Sequence, residues 1–288
     1  MSESPTLRRM EEADLPGADV LRRLVGWNQT AEDWRHLLGL EPRGCFVAVI
    51  AEQVVGTVMT TCYGLTLAWI GMMLVHPEHR RQGIASHLMA RALGYLQGKG
   101  IQCVKLDATP QGRPLYEKLG FQFESELNRW QRPAQIGNME CETRHSGTRK
   151  LREQDWVAIG EIDAAAFGVS RHDLLRGLAS RSREILVWPR QGQVGGWGML
   201  RAGSNADYIG PVACLDREGA IELVFDLLRV ANDRTVFWDV PEWNEHAKEV
   251  AQEFGFEPVR PLVRMRKGRD CPATNPGALF AIADPAVG

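Results

Sequence analysis

Residues 69–86 read WIGMMLVHPEHRRQGIAS, a strand signal that runs directly into a helix signal. The segment begins with an apolar run, residues 69–75, that lacks helical spacing and therefore predicts a buried strand. Pro77 should end this strand, because proline has no N–H group to donate to a sheet. A short basic loop, residues 80–85, follows and leads into a predicted helix over residues 86–96.

This order of elements is suited to holding a phosphate group. The N–H groups in the first turn of a helix are unpaired, and the helix dipole places partial positive charge there. Gly83 has no side chain, so the backbone can approach an anion closely, while Arg80 and Arg81 add positive charge. The spacing matches neither the P-loop nor the G-x-G-x-x-G dinucleotide pattern. The alternative interpretation is an ordinary strand–loop–helix unit with two surface arginines.

The loop resembles the acetyl-CoA loop of the GNAT acetyltransferases, Arg/Gln-x-x-Gly-x-Gly/Ala preceded by Val-x-Pro. The matching positions are Val75, Pro77, Arg80, Gly83 and Ala85. The resemblance implies that acetyl-CoA serves as the acetyl donor and that no metal is required. The implied cofactor contacts are Met73, Leu74, Val75, Arg80, Arg81, Gln82, Gly83, Ile84, Ala85 and Ser86.

A second motif, LDATPQGRPLYEKLGF, covers residues 106–121. It resembles the GNAT signature Leu-Tyr-x-x-x-Gly-Phe through Leu115, Tyr116, Gly120 and Phe121. In that family the tyrosine often lies beside the CoA sulfur and gives a proton to the leaving thiolate. The chemistry is suitable, since a phenol with a pKa of ~10 can donate to a thiolate whose thiol has a pKa of ~8.5. The alternative is that Tyr116 only packs beneath the following turn.

The chain contains two copies of one pattern. Residues 45–58 (CFVAVIAEQVVGTV) resemble residues 184–197 (EILVWPRQGQVGGW). Further along, KLGF at 118–121 resembles EFGF at 253–256. The polar, turn-rich segment 132–147 lies between the copies and is typical of a domain junction.

We therefore expect an α/β protein of two tandem GNAT domains, with two mixed central sheets flanked by helices. Residues 1–135 would form the catalytic domain, and residues 145–288 would form a degenerate domain with a C-terminal tail. The apolar tail segment 278–282 should pack back onto the body of the protein.

The second copy lacks the residues of the predicted cofactor site. Aligned by the repeat, the loop 80–85 falls on residues 219–224, where both arginines are absent and Glu222 replaces Gly83. A carboxylate at that position would repel a pyrophosphate. The position of the tyrosine falls on Ala251. The sequence thus predicts one CoA per chain, with the second domain kept either for stability or as a wall of the acceptor pocket.

The acceptor site is predicted between the first two helices. Asp14 should cap the first of these, and Thr30 with Asp33 gives a capping-box start to the second. In GNAT proteins this junction usually frames the acceptor pocket, so the resemblance implies acceptor contacts by Trp27, Asn28 and Gln29. The alternative is a core tryptophan beside a polar turn.

The sequence does not identify a general base. His36, Asp107 and Glu117 lie near the motifs, but none has a supporting pattern, and a structural ion pair is the expected role of Asp107. The implied function is acetyl transfer to a small-molecule or amine acceptor by direct attack in a ternary complex. A non-catalytic module that binds CoA or acyl-CoA and has a regulatory role is the alternative.

Composition restricts the partners. The net charge of −2 over 288 residues argues against nucleic-acid binding, so basic sites must be local. The six cysteines contain no C-x-x-C pair, which favours reduced thiols over disulfides or a zinc site. The first residues, MSESPTLRRM, lack a signal-peptide core, and no apolar run could span a bilayer. We expect a cytoplasmic protein, monomeric or homodimeric, that contacts no membrane.

Overall fold

A computed structural model describes residues 4–134, 147–268 and 274–288 of the chain. Within these ranges the first half forms β1 (Thr6–Arg9), α1 (Leu15–Leu24), α2 (Ala31–Leu40), β2 (Phe46–Ile50), β3 (Gln53–Tyr63), β4 (Leu67–Val75), α3 (Ile84–Gly98), β5 (Cys103–Ala108), α4 (Arg113–Lys118) and β6 (Gln122–Arg132). The second half forms β7 (Arg149–Lys150), α5 (Trp156–Phe167), α6 (His172–Ala179), β8 (Ser182–Arg190), β9 (Gln193–Arg201), β10 (Asp207–Cys214), α7 (Arg217–Ala231), β11 (Val236–Pro241), α8 (Glu245–Glu253), β12 (Glu257–Gly268) and β13 (Leu279–Ala281). From β1 to β6 and from β7 to β12 the elements follow the same order, which confirms the predicted repeat.

The copies also share an ion pair where their first helices begin. Asp14 accepts two hydrogen bonds from the Arg8 guanidinium, at 2.6 and 2.7 Å. Asp155 accepts the same pair from Arg149, at 2.6 and 2.8 Å. Each carboxylate also accepts a backbone N–H from the residue three positions earlier. These bonds fix the angle at which the chain enters α1 and α5.

The expected mixed α/β architecture is confirmed, but the expectation of two central sheets is wrong. Over the described residues the strands form one sheet in the order β1-β2-β3-β4-β5-β12-β6-β11-β10-β9-β8-β7, with β13 paired to β10. Neighbouring strands are antiparallel except for β4 with β5 and β10 with β11, which are parallel. The mixed pairing is typical of a fold with helical crossovers.

The single sheet arises because the halves exchange their last strands. Strand β12 of the second half lies between β5 and β6, with Val263 opposite Ala108. Strand β6 of the first half lies between β12 and β11, with Trp130 opposite Trp238. Each exchanged strand thus makes its ladder hydrogen bonds to the other half on both edges. The boundaries 1–135 and 145–288 stay a prediction, and the junction lies largely outside the described residues.

The halves share a hydrophobic core as well as a sheet. On the face covered by α1, α2, α5 and α6, one cluster includes Trp34, Trp69 and Trp197, each fully buried. On the opposite face one cluster lies beneath α3 and α4, and another lies beneath α7 and α8. Because apolar burial is the main favourable term in folding, the shared cluster should couple the stabilities of the two halves.

The C-terminal tail packs into this shared core, as predicted. Residues 278–283 are buried, and β13 pairs with β10. Beyond β13 the tail crosses between the halves. The Tyr63 hydroxyl donates to the Val287 carbonyl at 2.7 Å, and the Trp69 indole N–H donates to the Pro285 carbonyl at 3.0 Å. The tail therefore becomes part of the surroundings of β4.

One described cysteine departs from the expectation of reduced thiols, and three agree with it. Cys103 is disulfide-bonded, whereas Cys45, Cys62 and Cys214 are free. Cys141 and Cys271 lie outside the described residues. Among the helices of the described ranges, none is long and apolar enough to cross a membrane.

Candidate active site

A cavity of about 810 Å³ opens between β4 and β5 in the first half of the chain. Its walls are the two strands, the start of α3 and the segment from Thr109 to Lys118. Residues of the second half close one side. A cavity of this volume is in the range that encloses a small-molecule ligand.

The cavity exists because two parallel strands separate. β4 and β5 pair only along Leu67–Trp69 and Cys103–Lys105. Beyond Trp69 the register of β4 against β3 shifts, and Met72 has a positive φ of 49°. The Thr57 hydroxyl holds this irregularity by donating to the Met72 carbonyl at 2.7 Å. The β4 backbone from residue 70 onward therefore presents an edge that β5 does not occupy, where an extended ligand can form hydrogen bonds in the manner of a strand.

The basic loop lies at the end of β4 and opens into the cavity. Gly83 is the N-cap of α3 and has φ of 81°, a left-handed conformation that favours glycine. The helix starts at Ile84, two residues before the predicted start, so its free N–H groups lie beside the loop. A Cβ atom built on Gly83 would lie 3.5 Å from His87, its nearest neighbour, so the space in front of the glycine is open. The loop thus has the room and the charge for a phosphate group.

Nine of the ten predicted cofactor residues line this cavity. Gln82 is the exception, because its side-chain amide instead donates to the Glu78 carbonyl at 3.3 Å. The Arg80 guanidinium donates to the Val75 carbonyl at 3.3 Å, which fixes the side chain across the loop. The lining residues from the predicted set are Met73, Leu74, Val75, Arg80, Arg81, Gly83, Ile84, Ala85 and Ser86.

The second copy lacks the loop itself. Eight residues, 76–83, separate β4 from α3, but only Leu215 and Asp216 separate β10 from α7. The side chain of Asp216 caps α7 by accepting the Gly219 N–H at 2.9 Å. Our alignment of Glu222 with Gly83 was wrong, because the shorter connection places Glu222 inside α7. The helix start that would face an anion here is capped by a carboxylate of the protein.

Tyr116 lines the cavity from α4. Its side chain packs edge-on against Phe121, with ring centroids 6.1 Å apart, and the residue is 8% exposed. No described residue forms a hydrogen bond with its hydroxyl, and burial raises the pKa of Tyr116 to about 12. The side chain is therefore both a packing element and a protonated hydroxyl at the cavity surface. Its counterpart Ala251 is fully buried in α8 and has no polar group.

Comparisons with known proteins agree with this geometry. Models of the acetyltransferase (GNAT) domain match residues 41–123 and residues 159–281. An acetyltransferase of Sodalis glossinidius is 31% identical over 116 residues, a stretch that covers 38% of this chain and 76% of that protein. The chain belongs to the GNAT acetyltransferase family. The family suggested by the two sequence motifs is thereby confirmed.

Other similar proteins match the chain over almost its whole length. The uncharacterized N-acetyltransferase YitH of Bacillus subtilis is 26% identical over 293 residues, covering 98% of each chain. A crystal structure from Pyrococcus horikoshii has a TM-score of 0.82 at 24% identity and covers 99% of this chain and 96% of its own. A tandem GNAT protein from the clavulanic acid biosynthesis pathway has a TM-score of 0.64 at 15% identity, with 97% and 100% covered. At these identities the two structures support the fold alone.

In this GNAT chain the three predicted acceptor residues have different surroundings. Trp27 and Gln29 line the cavity, whereas Asn28 does not. The Asn28 amide donates to the Ala206 carbonyl at 3.0 Å, and its oxygen accepts the N–H groups of Asn205 and Ala206 at 2.9 and 3.0 Å. Both polar side-chain atoms of Asn28 therefore bind the second half.

Gln29 is held by the C-terminal tail. Its side-chain NH₂ donates to the Asp284 carboxylate, at 2.8 and 3.0 Å to the two oxygens. The Gln29 Oε1 atom is buried and has no hydrogen-bond partner among the described residues. Burial raises the pKa of Asp284, against the charge of Arg201. Gln29 thus occupies a fixed position at the cavity edge, and its Oε1 atom remains without a hydrogen-bond donor.

Sequence reasoning did not find the cavity residues of the second half. Arg260 and Leu262 come from the exchanged strand β12, and Pro285 and Ala286 come from the tail. A Cβ atom on Gly71 would lie 2.3 Å from the Ala286 carbonyl oxygen, so only glycine allows the tail to pass this closely. The sequence repeat did not indicate that these residues line the cavity, because they lie far along the chain from the two GNAT motifs.

The candidate bases named from the sequence are placed in other roles. Asp107 makes two hydrogen bonds of 2.9 Å with the Arg264 guanidinium, so the expected ion pair is present. Glu117 pairs with Arg113 at 2.7 Å on the surface. His36 borders a separate small cavity, where burial lowers its pKa. Across the described ranges, no group of three or more His, Cys, Asp or Glu side chains could hold a metal ion.

Proposed function

We propose that this protein is an acetyl-CoA-dependent N-acetyltransferase whose reaction takes place in the cavity of the first half. One observation carries the proposal: β4 and β5 separate into a cavity that has the Gly83-capped helix at one end and Tyr116 in its wall. The helix start and the arginines would hold the CoA phosphates. The open edge of β4 would hold the pantetheine arm, which brings the thioester towards Tyr116.

The proposed step is direct attack in a ternary complex. The neutral amine attacks the thioester carbonyl, so that a C–N bond forms and the C–S bond breaks. The departing thiolate takes the hydroxyl proton of Tyr116, and the tyrosine regains a proton from solvent. The surplus proton of the amine passes to solvent, which gives the amide and CoA thiol. With a pKa of about 12, the Tyr116 hydroxyl is protonated at neutral pH and so has a proton to donate, although burial makes it a weaker acid than a free phenol.

The acceptor would enter from the face that carries Trp27 and Gln29. Both residues line the cavity, and Gln29 has an unused acceptor atom for an amine N–H. Asn28, whose polar atoms all bind the second half, keeps a positioning role in the proposal. The second half is then a wall of the acceptor pocket, because Leu262 and Pro285 complete the lining.

A regulatory module that binds CoA or acyl-CoA without catalysis is the second candidate. It is favoured because Asp107, a carboxylate that lines the cavity, is already paired with Arg264 and so is not a free base. An assay of CoA thiol release from acetyl-CoA, run with a panel of amines, separates the two candidates. The enzyme releases thiol only when an amine acceptor is present, whereas the module binds acetyl-CoA and releases none.

A further inference from the structure

Arg260 is a cation in the cavity wall that forms no salt bridge with any described residue. It lies on the exchanged strand β12, is partly buried and lines the cavity. Its Nε atom is buried and makes no hydrogen bond to any described residue. Burial and the nearby Arg129 guanidinium lower the pKa of Arg260, and the more weakly acting Asp239 and Asp284 carboxylates do not offset them.

The carboxylates around Arg260 are already bound elsewhere. Asp239 receives two hydrogen bonds from Arg129, at 2.8 and 2.6 Å, and a third from the Tyr208 hydroxyl at 3.0 Å. Asp284 receives the Gln29 amide and the Ala286 N–H. The partly buried Arg260 guanidinium therefore keeps hydrogen-bonding capacity that an anion from outside the chain can use.

Arg260 lies on the face of the sheet that α1 and α2 cover, whereas the basic loop leads into α3 on the opposite face. Residues alternate between faces along a strand, and Arg260 shares its face with Leu262. Leu262 packs in the core cluster beneath α1 and α2, whereas Val263 packs in the cluster beneath α3 and α4. Trp27, a predicted acceptor contact, packs against the same cluster as Leu262. The anion that Arg260 binds therefore belongs to the acceptor rather than to CoA.

We propose that Arg260 recognises an acidic group on the acceptor, so that the substrate is an amine that also carries a carboxylate or phosphate. This inference rests on the proposed function. A guanidinium presents parallel N–H groups that match the oxygens of such an anion, and charge-assisted hydrogen bonds of this kind are strong. The same positive charge disfavours polyamines, since like charges repel in a site sheltered from solvent.

The test uses amines in pairs that differ in the acidic group. The probes are γ-aminobutyrate with butylamine, phosphoethanolamine with ethanolamine, and amino acids with their carboxamides, together with spermidine. For the wild-type chain we expect kcat/KM to favour the acidic member of at least one pair by roughly 30-fold or more. The pair that shows this preference indicates whether the acidic group of the acceptor is a carboxylate or a phosphate.

Substitution of Arg260 should remove that preference selectively. In Arg260→Gln the KM for the acidic member should rise and its kcat should change little, while the neutral member and the Kd of acetyl-CoA stay unchanged. Arg260→Lys should restore part of the preference, because it keeps a charge without the guanidinium fork. Arg43→Gln, at an exposed position outside the cavity, is the matched control. A preference for neutral or cationic amines, or an acid preference that survives Arg260→Gln, would overturn the inference.

The inference stays testable if the proposed function fails. Should no probe be acetylated although acetyl-CoA binds, the same pairs can be titrated into the chain saturated with CoA. Binding selective for the acidic member, and lost in Arg260→Gln, supports the site without catalysis. Equal binding of both members contradicts it.

Discussion

Replacement of Tyr116 by phenylalanine tests the chemical step most sharply, because it removes one oxygen and keeps the ring. The ring packs against Phe121, and that contact does not involve the hydroxyl. No described residue hydrogen-bonds to the hydroxyl, so the substitution breaks no hydrogen bond within the described structure. Tyr95→Phe is the matched control, since the Tyr95 hydroxyl donates to Glu41 outside the cavity.

The expected magnitudes follow from these contacts. Loss of a placed proton donor lowers kcat by roughly 10²–10⁴-fold, equivalent to a barrier higher by about 3–5 kcal/mol. The free energy of unfolding should change by less than about 0.5 kcal/mol, since no packing is lost. Tyr95→Phe should show the reverse pattern, with lower stability and unchanged kcat.

The pH dependence follows from the raised pKa of Tyr116, about 12. The hydroxyl keeps its proton until the pH approaches that value, so its capacity as an acid is present throughout the neutral and mildly alkaline range. The wild-type kcat should therefore not fall up to about pH 10 through ionisation of this tyrosine.

The assay measures kcat by thiol release, the acetyl-CoA Kd by calorimetry and the melting temperature of each variant. The predicted result for Tyr116→Phe is a large loss of kcat at a constant Kd and a constant melting temperature. Full turnover in this variant would refute the role of Tyr116 and leave it as a packing residue.

Three further predictions concern the cofactor site and the junction of the halves. Gly83→Glu places a carboxylate in a left-handed position at the start of α3 and should weaken acetyl-CoA binding by about 3 kcal/mol. Gly94→Glu, on an open surface of the same helix, is the control and should leave the binding unchanged. Equal acetyl-CoA Kd values for the two variants would contradict the loop assignment. Calorimetry should find one CoA per chain, because Asp216 caps α7 where the second loop is missing, and a second tight equivalent would show that the second half also binds. Asp107→Asn leaves the Arg264 guanidinium buried without its carboxylate and should lower the free energy of unfolding by roughly 3–5 kcal/mol. Urea unfolding measures this change, and an unchanged midpoint would contradict the prediction.

Features set by neighbouring residues could be predicted from the sequence. Thr30 and Asp33 form the expected capping box, with the Thr30 N–H donating to the Asp33 carboxylate at 2.7 Å. Pro77 follows the end of β4, and Gly83 stands at the start of α3, because strand end, loop and helix start depend on residues a few positions apart. The order of elements in both copies could be predicted for the same reason.

Features set by distant pairings could not be predicted. The alternation of apolar residues places β6 and β12 as strands, but it does not say which half each will pair with. The exchange of these strands brings Arg260 into the cavity, and no motif surrounds that residue. Glu222 was misplaced for a related reason, because a constant offset between copies hides a deletion in the loop. The interface role of Asn28 depends on Ala206, a residue distant in sequence.

The most direct test of the central proposal is CoA thiol release, measured together with the acetylated amine by mass spectrometry. With the wild-type chain and acetyl-CoA, we expect release that depends on an amine and equals the amount of N-acetyl product formed. The Gly83→Glu chain should lose this activity in step with its loss of acetyl-CoA binding. Tight binding of one acetyl-CoA per chain, with no release above background for any amine, would contradict the proposal.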